Sequence, residues 1–423
     1  MAQRSRQRGV AALFVTAMLC FVMVLAVAVA HRNVAVEEQR SANELRAASA
    51  FEAAEAGLEW ALARINDPTR IDADCLPSGD PAAPSFRERM VRIGLPLGDL
   101  APATWNDAGA ATPLQAACVR DATGWHCRCP ASGRPDLPTP AGTAIAPAFV
   151  VELAASSRAD VVRIVATGCT RTGAGTTCAA SSGAAQEATA RLEAAWALLP
   201  ALRAAPAAAL TAQGDVDVGT ASLGVHNGDA TSGAIALHAG GRIAAAALRV
   251  GTPPGAPLGA SLASGDAALH DLPRDRFFAR YFGMGATAWT AQPAVRHVDC
   301  TRDCGRAVEA AIASGARLLA LDGDDAAIAG PAILGAADDP VIVVATGALR
   351  LSGDVAIHGV VHAASLEWSD AAPGRAFIRG AALVAGDYRG NGAVDLRRDA
   401  PLLARLAAAS GSFVRINGSW KDF

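Results

Sequence analysis

Lysine is almost missing from this chain of 423 residues. Lys421 is the only one, so nearly all of the 37 basic side chains are arginine. Charge of either sign is sparse, at 18% of residues against 52% hydrophobic, and the formal net charge is -3. A chain this long and this apolar can bury cores for two or three domains, which excludes general disorder. No run of cations stands outside the N-terminal arginines. The electrostatic footprint that phosphate binding needs is therefore missing, and nucleic acid is not expected as a partner. Catalytic fingerprints are missing too: there is no G-x-S-x-G, no H-E-x-x-H, no phosphate-binding loop and no dinucleotide glycine pattern. Neither an enzyme nor a cofactor is expected.

Cysteine, by contrast, is present in an informative number. Cys20 lies inside an apolar run, and eight others remain: Cys75, Cys118, Cys127, Cys129, Cys169, Cys178, Cys300 and Cys304. An even set behind an export-type N-terminus reads as a disulfide framework in an oxidising compartment, with 105 possible connectivities. Cys169 with Cys178 and Cys300 with Cys304 are the easiest local closures. Zinc is the rival at "WHCRCP" (Trp125 to Pro130), but C-x-C is not C-x-x-C and no second knuckle stands at metal spacing. Disulfides are expected there, and no metal.

The N-terminus poses a choice. Arg4, Arg6 and Arg8 precede an unbroken apolar run, Val10 to Ala30, which ends in Ala28-Val29-Ala30, a tolerable signal-peptidase site. A cleaved signal has an apolar region of roughly 7 to 15 residues, whereas a spanning helix needs about 20. This run has the spanning length. The stretch Val34 to Ile65 then contains no Pro and one Gly, and puts Leu45, Ala48, Phe51, Ala54, Leu58, Ala61, Leu62 and Ile65 on one helical stripe. One rod from Val10 to Ile65, about 80 Å long at 1.5 Å per residue, is expected, stopped by Asp67-Pro68.

These residues carry a resemblance. "RQRGVAALFVTAML" (Arg6 to Leu19) resembles the leader of a type IV prepilin, in which a basic leader ends in Gly and the prepilin peptidase cuts after it. "SAFEAAEAGLEWAL" (Ser49 to Leu62) is similar to the helix of PilX-type pilus assembly proteins, and "GSWKDF" (Gly418 to Phe423) to the ending of their large members. The resemblance implies a leader 1–9, cleavage between Gly9 and Val10, methylation of the new N-terminus, and a retained helix 10–66 whose first part, 10–30, spans the inner membrane. It also implies a cytoplasmic N-terminus, a periplasmic head that later reaches the pilus or cell surface, and other pilins, the peptidase and the inner membrane as partners. Helix packing would fall to Phe14, Phe51, Leu58 and Leu62. Major pilins carry Glu at the fifth mature position, here Phe14; its absence is shared with PilX-like proteins and with K-type minor pseudopilins of type II secretion.

The head divides coarsely. Residues 67–200 hold a loop-rich, cysteine-pinned stretch followed by "PAFVVELA", "DVVRIVATGCT" and "EATARLEAAWALL", which read as an antiparallel meander; the last could equally be a helix by its Ala content. Beyond Pro200, short apolar strands broken by Gly, Asn and Asp suit either a β-solenoid-like stack or a sandwich, interrupted by a short helical insert at 272–316. The class expected is α+β: a long N-terminal helix, an antiparallel sheet, then a β-rich domain 201–423. His358 and His362 in "IHGVVH", near Glu367, read as surface residues and not as metal ligands. "LDGDDAAIAG" and "GDYRGNGAVD" offer carboxylates near glycines, as calcium loops do, without EF-hand spacing. Two functions compete: a structural minor pilin sited at or near the tip for assembly or adhesion, and an exported, anchored β-solenoid enzyme acting on carbohydrate. The continuous helix favours the first.

Overall fold

A computed structural model describes residues 8–94, 99–138, 146–170, 178 and 188–423. Residues 1–7 of the expected leader and Glu187 of the third meander segment lie outside the described residues. A single helix runs from Arg8 to Asn66, 59 residues and about 90 Å of rod. Its last quarter packs on an antiparallel sheet through Ala50, Ala53, Ala54, Leu58, Ala61 and Ile65, all buried. The small side chains let the helix lie close. A Cβ added at Gly168 would stand 2.1 Å from the Ala50 carbonyl oxygen, so this strand position must be glycine where the helix crosses it. Leu45 and Ala48, expected on the buried stripe, are exposed, and Phe51 and Leu62 are half-buried. For Leu45 and Ala48 the reason is geometric, since the sheet ends before it reaches them, whereas Phe51 and Leu62 pack at the edge of the head core.

The sheet runs in the order Gly411–Arg415, Thr189–Pro200, Val161–Cys169, Ala148–Ala155, Gln115–Arg120 and Trp125–Arg128, every pair antiparallel. Thr189–Pro200 is a strand and not the helix its Ala content allowed, because its alternating Leu192, Ala194 and Trp196 fill the space under the helix. The four bridges are Cys75–Cys129, Cys118–Cys127, Cys169–Cys178 and Cys300–Cys304. Three of them pin this head. Beside the first, the buried Arg89 guanidinium donates to the carbonyls of Ile71 (2.8 Å), Asp72 (2.9 Å) and Cys129, lashing the loop-rich segment together.

Residues 411–422, expected in the C-terminal domain, belong to the head sheet: Gly411 stands opposite Pro200, and Lys421 opposite Glu193. Everything between is an insertion into one antiparallel strand pair. The insert is a β-solenoid and not a sandwich, since all its strand pairs are parallel. Successive partners run Leu318 to Ile342, Val341 to Gly359 and Gly359 to Gly380, so the repeat length varies and no fixed period can show in the sequence. Each rung has three faces. The strands Val355–Ala363 and Ala376–Val384 bend at Gly359 and Gly380 from the third face into the first face of the next rung.

The winding order is not sequential. Residues 210–263 form the rungs at one end; the chain then crosses the first face as three short helices, Ala267–His270, Arg274–Phe282 and Ala286–Thr290. It restarts at the far end with Val295–Asp299, which lies inside the expected helical insert 272–316, and winds back until Val394–Arg398 pairs with residues 223–227. Helix Gly305–Ala313 caps the far end, packing on the Val295, Asp325 and Ala332 strands. A Gly168→Val substitution is expected to lift the long helix from the sheet at a cost of about 3 kcal/mol. Thermal melting of the detergent-solubilised protein reads this, and an unchanged midpoint would contradict the close crossing.

Candidate assembly helix and exposed faces of the head

From Ala11 to Arg40 every residue of the long helix is exposed, and its most apolar 18-residue stretch has a mean hydropathy of 2.8. Leu13, Phe14, Phe21 and Val24 are each more than 60% exposed. An apolar rod this bare in water is stable only inside lipid or against other helices, and its backbone is already internally hydrogen-bonded, as a membrane requires. Gly9 and Val10 lie in its first turns. Phe14 sits on the projecting part, Phe51 at the root, and Leu58 within the docked part. At the root, the Phe51 ring meets Trp420 edge-on with centroids 6.2 Å apart, and the Arg191 guanidinium lies 5.2 Å over the Phe423 ring, so "GSWKDF" folds back beside the point where the helix leaves the head.

The helix end is held by a residue that no pattern singled out. Asn66 is buried; its amide nitrogen donates to the Phe413 carbonyl (2.9 Å) and its amide oxygen accepts from the Phe413 N–H (2.7 Å). Next to it, Arg87 donates to the Ile65 carbonyl (2.9 Å) and covers the Phe413 ring, and desolvation pulls its guanidinium down to about 10. A cleft of about 400 Å³ opens here between head and solenoid. Several of its charged groups are engaged locally: Arg317 pairs with Asp339, Arg405 donates to the Asp338 backbone carbonyl, and Glu88 accepts from the Ser85 N–H. The cleft is a seam between the two parts.

The histidines differ from expectation. Gly359 turns the strand between them, so His358 lies on the third face and His362 on the first. His362 is not a surface residue. Its ring sits among Phe278 (4.8 Å), Phe282 (5.9 Å) and Phe277 (6.2 Å) beneath the crossing helices, and neither ring nitrogen makes a hydrogen bond of good geometry. Burial pulls its imidazole down to about 4, against the opposing influence of the Ala345 carbonyl. In the two calcium-like segments Asp325 pairs with Arg350, Asp387 with Arg389 and Asp395 with Arg249, while His297 meets Asp322 at 2.9 Å and His226 meets Asp395 at 3.3 Å.

The geometry defines a helix-anchored α+β head carrying an inserted β-solenoid. No family model matches the chain, and no curated protein matches it. Among solved structures, the competence-associated pilin ComZ from Thermus thermophilus is similar over 89% of this chain and 97% of its own, with 11% identity and a TM-score of 0.23. A likeness that loose decides nothing about function.

His362 makes stability depend on pH. The unfolded imidazole takes up its proton near 6.5, whereas the folded one resists until about 4. Unfolding therefore binds a proton at this site in that interval, and the contribution of His362 to stability is constant above it, falls as pH drops through it, and levels off beneath. The loss should reach about 3 kcal/mol at the low end. Denaturant melts from pH 7 to 4 on the native chain and on His362→Leu measure it; the leucine variant should lose most of this dependence.

Proposed function

We propose that the chain is a structural minor pilin-like subunit, of the PilX type, which enters a type IV pilus through its projecting helix and performs no catalysis. The single observation that carries the reading is the continuity of the Arg8–Asn66 helix: its apolar part is bare and its other part is the spine of the head. A disposable export signal has no need to continue without a break into the helix that forms the spine of the mature domain. In this reading the leader stays cytoplasmic because of its arginines, the peptidase cuts between Gly9 and Val10, and the new N-terminus is methylated. The mature protein should begin at Val10. N-terminal sequencing checks this, and a start at His31 would favour the exported carbohydrate-active enzyme.

Phe14 bears on position within a fibre. In the pilin packing model, Glu at this place neutralises a neighbour's N-terminal ammonium inside an apolar bundle, where an unpaired charge is costly. Phe14 supplies no carboxylate, and an inserted solenoid crowds any close lateral repeat. Both effects favour a scarce subunit at or near the tip, serving assembly or adhesion. Immunogold labelling of sheared pili should mark ends in the native strain, while Phe14→Glu should be inserted normally and shift some label along the shaft. Regular shaft labelling by the native protein would contradict this placement.

A further inference from the structure

The second and third faces of the solenoid carry opposite charge designs. On the second face, one outward column reads Arg350, Glu367, Arg389 and Asp217 on four consecutive rungs, alternating in sign and neutralising itself. On the third face, the corresponding column reads His358, Arg379, Arg397 and His226, each directly opposite the next. Two guanidiniums flanked by two imidazoles stand in a line at the roughly 4.8 Å spacing of neighbouring strands. Like charges directly opposite one another destabilise a sheet. Intramolecular compensation is partial: Asp399 lies 3.7 Å from Arg379, and Asp395 accepts from His226 (3.3 Å) and from Arg249 (3.0 Å). Arg397 is exposed and makes no ion pair among the described residues. At the end of the row, burial and then the Arg379 charge lower the His358 imidazole, with Asp399 opposing.

We propose that this row is a binding track for a linear acidic polysaccharide, its carboxylates spaced along an extended chain lying across the rungs. Charge complementarity selects an anion, and the straight, flat row selects an extended polymer over a compact anion, which would need converging donors. No exposed aromatic side chain lies on the row to stack bases, as tracks for single-stranded nucleic acid have; Phe377 is half-buried against His358, 5.4 Å away. The track belongs to the inserted solenoid and does not depend on whether the long helix enters a pilus.

The test titrates the full chain in detergent with sodium polygalacturonate, with its methyl-esterified neutral form, and with a single-stranded DNA oligonucleotide. Polygalacturonate should bind, with affinity falling steeply as salt rises, and the neutral form should not. Arg379→Gln with Arg397→Gln should weaken binding by about tenfold or more, whereas Arg350→Gln with Arg389→Gln on the second face should leave it within about twofold. Melting curves verify folding; if the first double variant fails to fold, Arg397→Gln alone replaces it, since that side chain is exposed and unpaired. No binding of polygalacturonate, equal loss from both faces, or no loss from either would overturn the proposal. Tighter, third-face-dependent binding of the DNA would overturn the choice of polysaccharide.

Discussion

Everything beyond the projecting helix depends on one joint, the pairing of the Asn66 amide with both backbone groups of Phe413. It stands at the end of the long helix and joins it to the last structured part of the chain, 347 residues later. The helix terminus leaves carbonyls without intrahelical partners, and a buried terminus without partners is costly. Arg87 takes up the Ile65 carbonyl, and the Asn66 side chain mimics one more strand residue for Phe413. With that joint closed, Gly411–Arg415 is held on Thr189–Pro200, and entrance and exit of the insertion are fixed side by side. A domain inserted at two adjacent points cannot swing as one hung from a single linker can.

The solenoid adds a second closure of the same kind. Because residues 210–263 are wound first and rung 380–398 last, the earliest and latest parts of the insert stack on each other through Leu210 opposite Ala382 and Leu223 opposite Val394. Stacked repeats bury their core only against neighbours. Neither half of this stack is therefore complete until the chain has crossed the first face and returned. The crossing helices also do structural work, covering Ile342, Val344, Val360 and Leu383 with Phe277, Phe278, Phe282 and Trp289. Trp289 fastens them to the entrance of the insertion by donating to the Ala201 carbonyl at 2.9 Å.

Local signals in the sequence were readable where a single element decides its own form. The rod was legible from its unbroken apolar run and the Asp67-Pro68 stop, and the meander from alternation in "DVVRIVATGCT". The helix Arg274–Phe282 falls within the expected helical insert 272–316 and ends at Gly283, which is left-handed. What depended on long-range pairing was not. Residues 411–422 carry nothing that names Thr189–Pro200 as their partner, and the return of the solenoid upon its own first rungs has no local trace. His358 and His362 stand at the even spacing that in a straight strand puts both on one face; Gly359 bends this strand, and His362 is buried. The buried stripe was placed too early on the helix because periodicity gives the face and not the length of its cover.

The same distinction applies to the arrangement of charge. With a net charge of -3 and no cationic run, the sequence shows no anion-binding surface. A solenoid, however, draws one outward residue from each rung, so Arg379, Arg397 and His226 become neighbours although their numbers are far apart. The row's charge is therefore invisible to any linear count. It is also cheap to maintain, because rungs pair through backbone groups and interior side chains such as Leu366, Trp368 and Leu396, leaving outward positions free to vary. The projecting helix and the outward row of the solenoid are thus set by separate residues, and a change in one need not disturb the other.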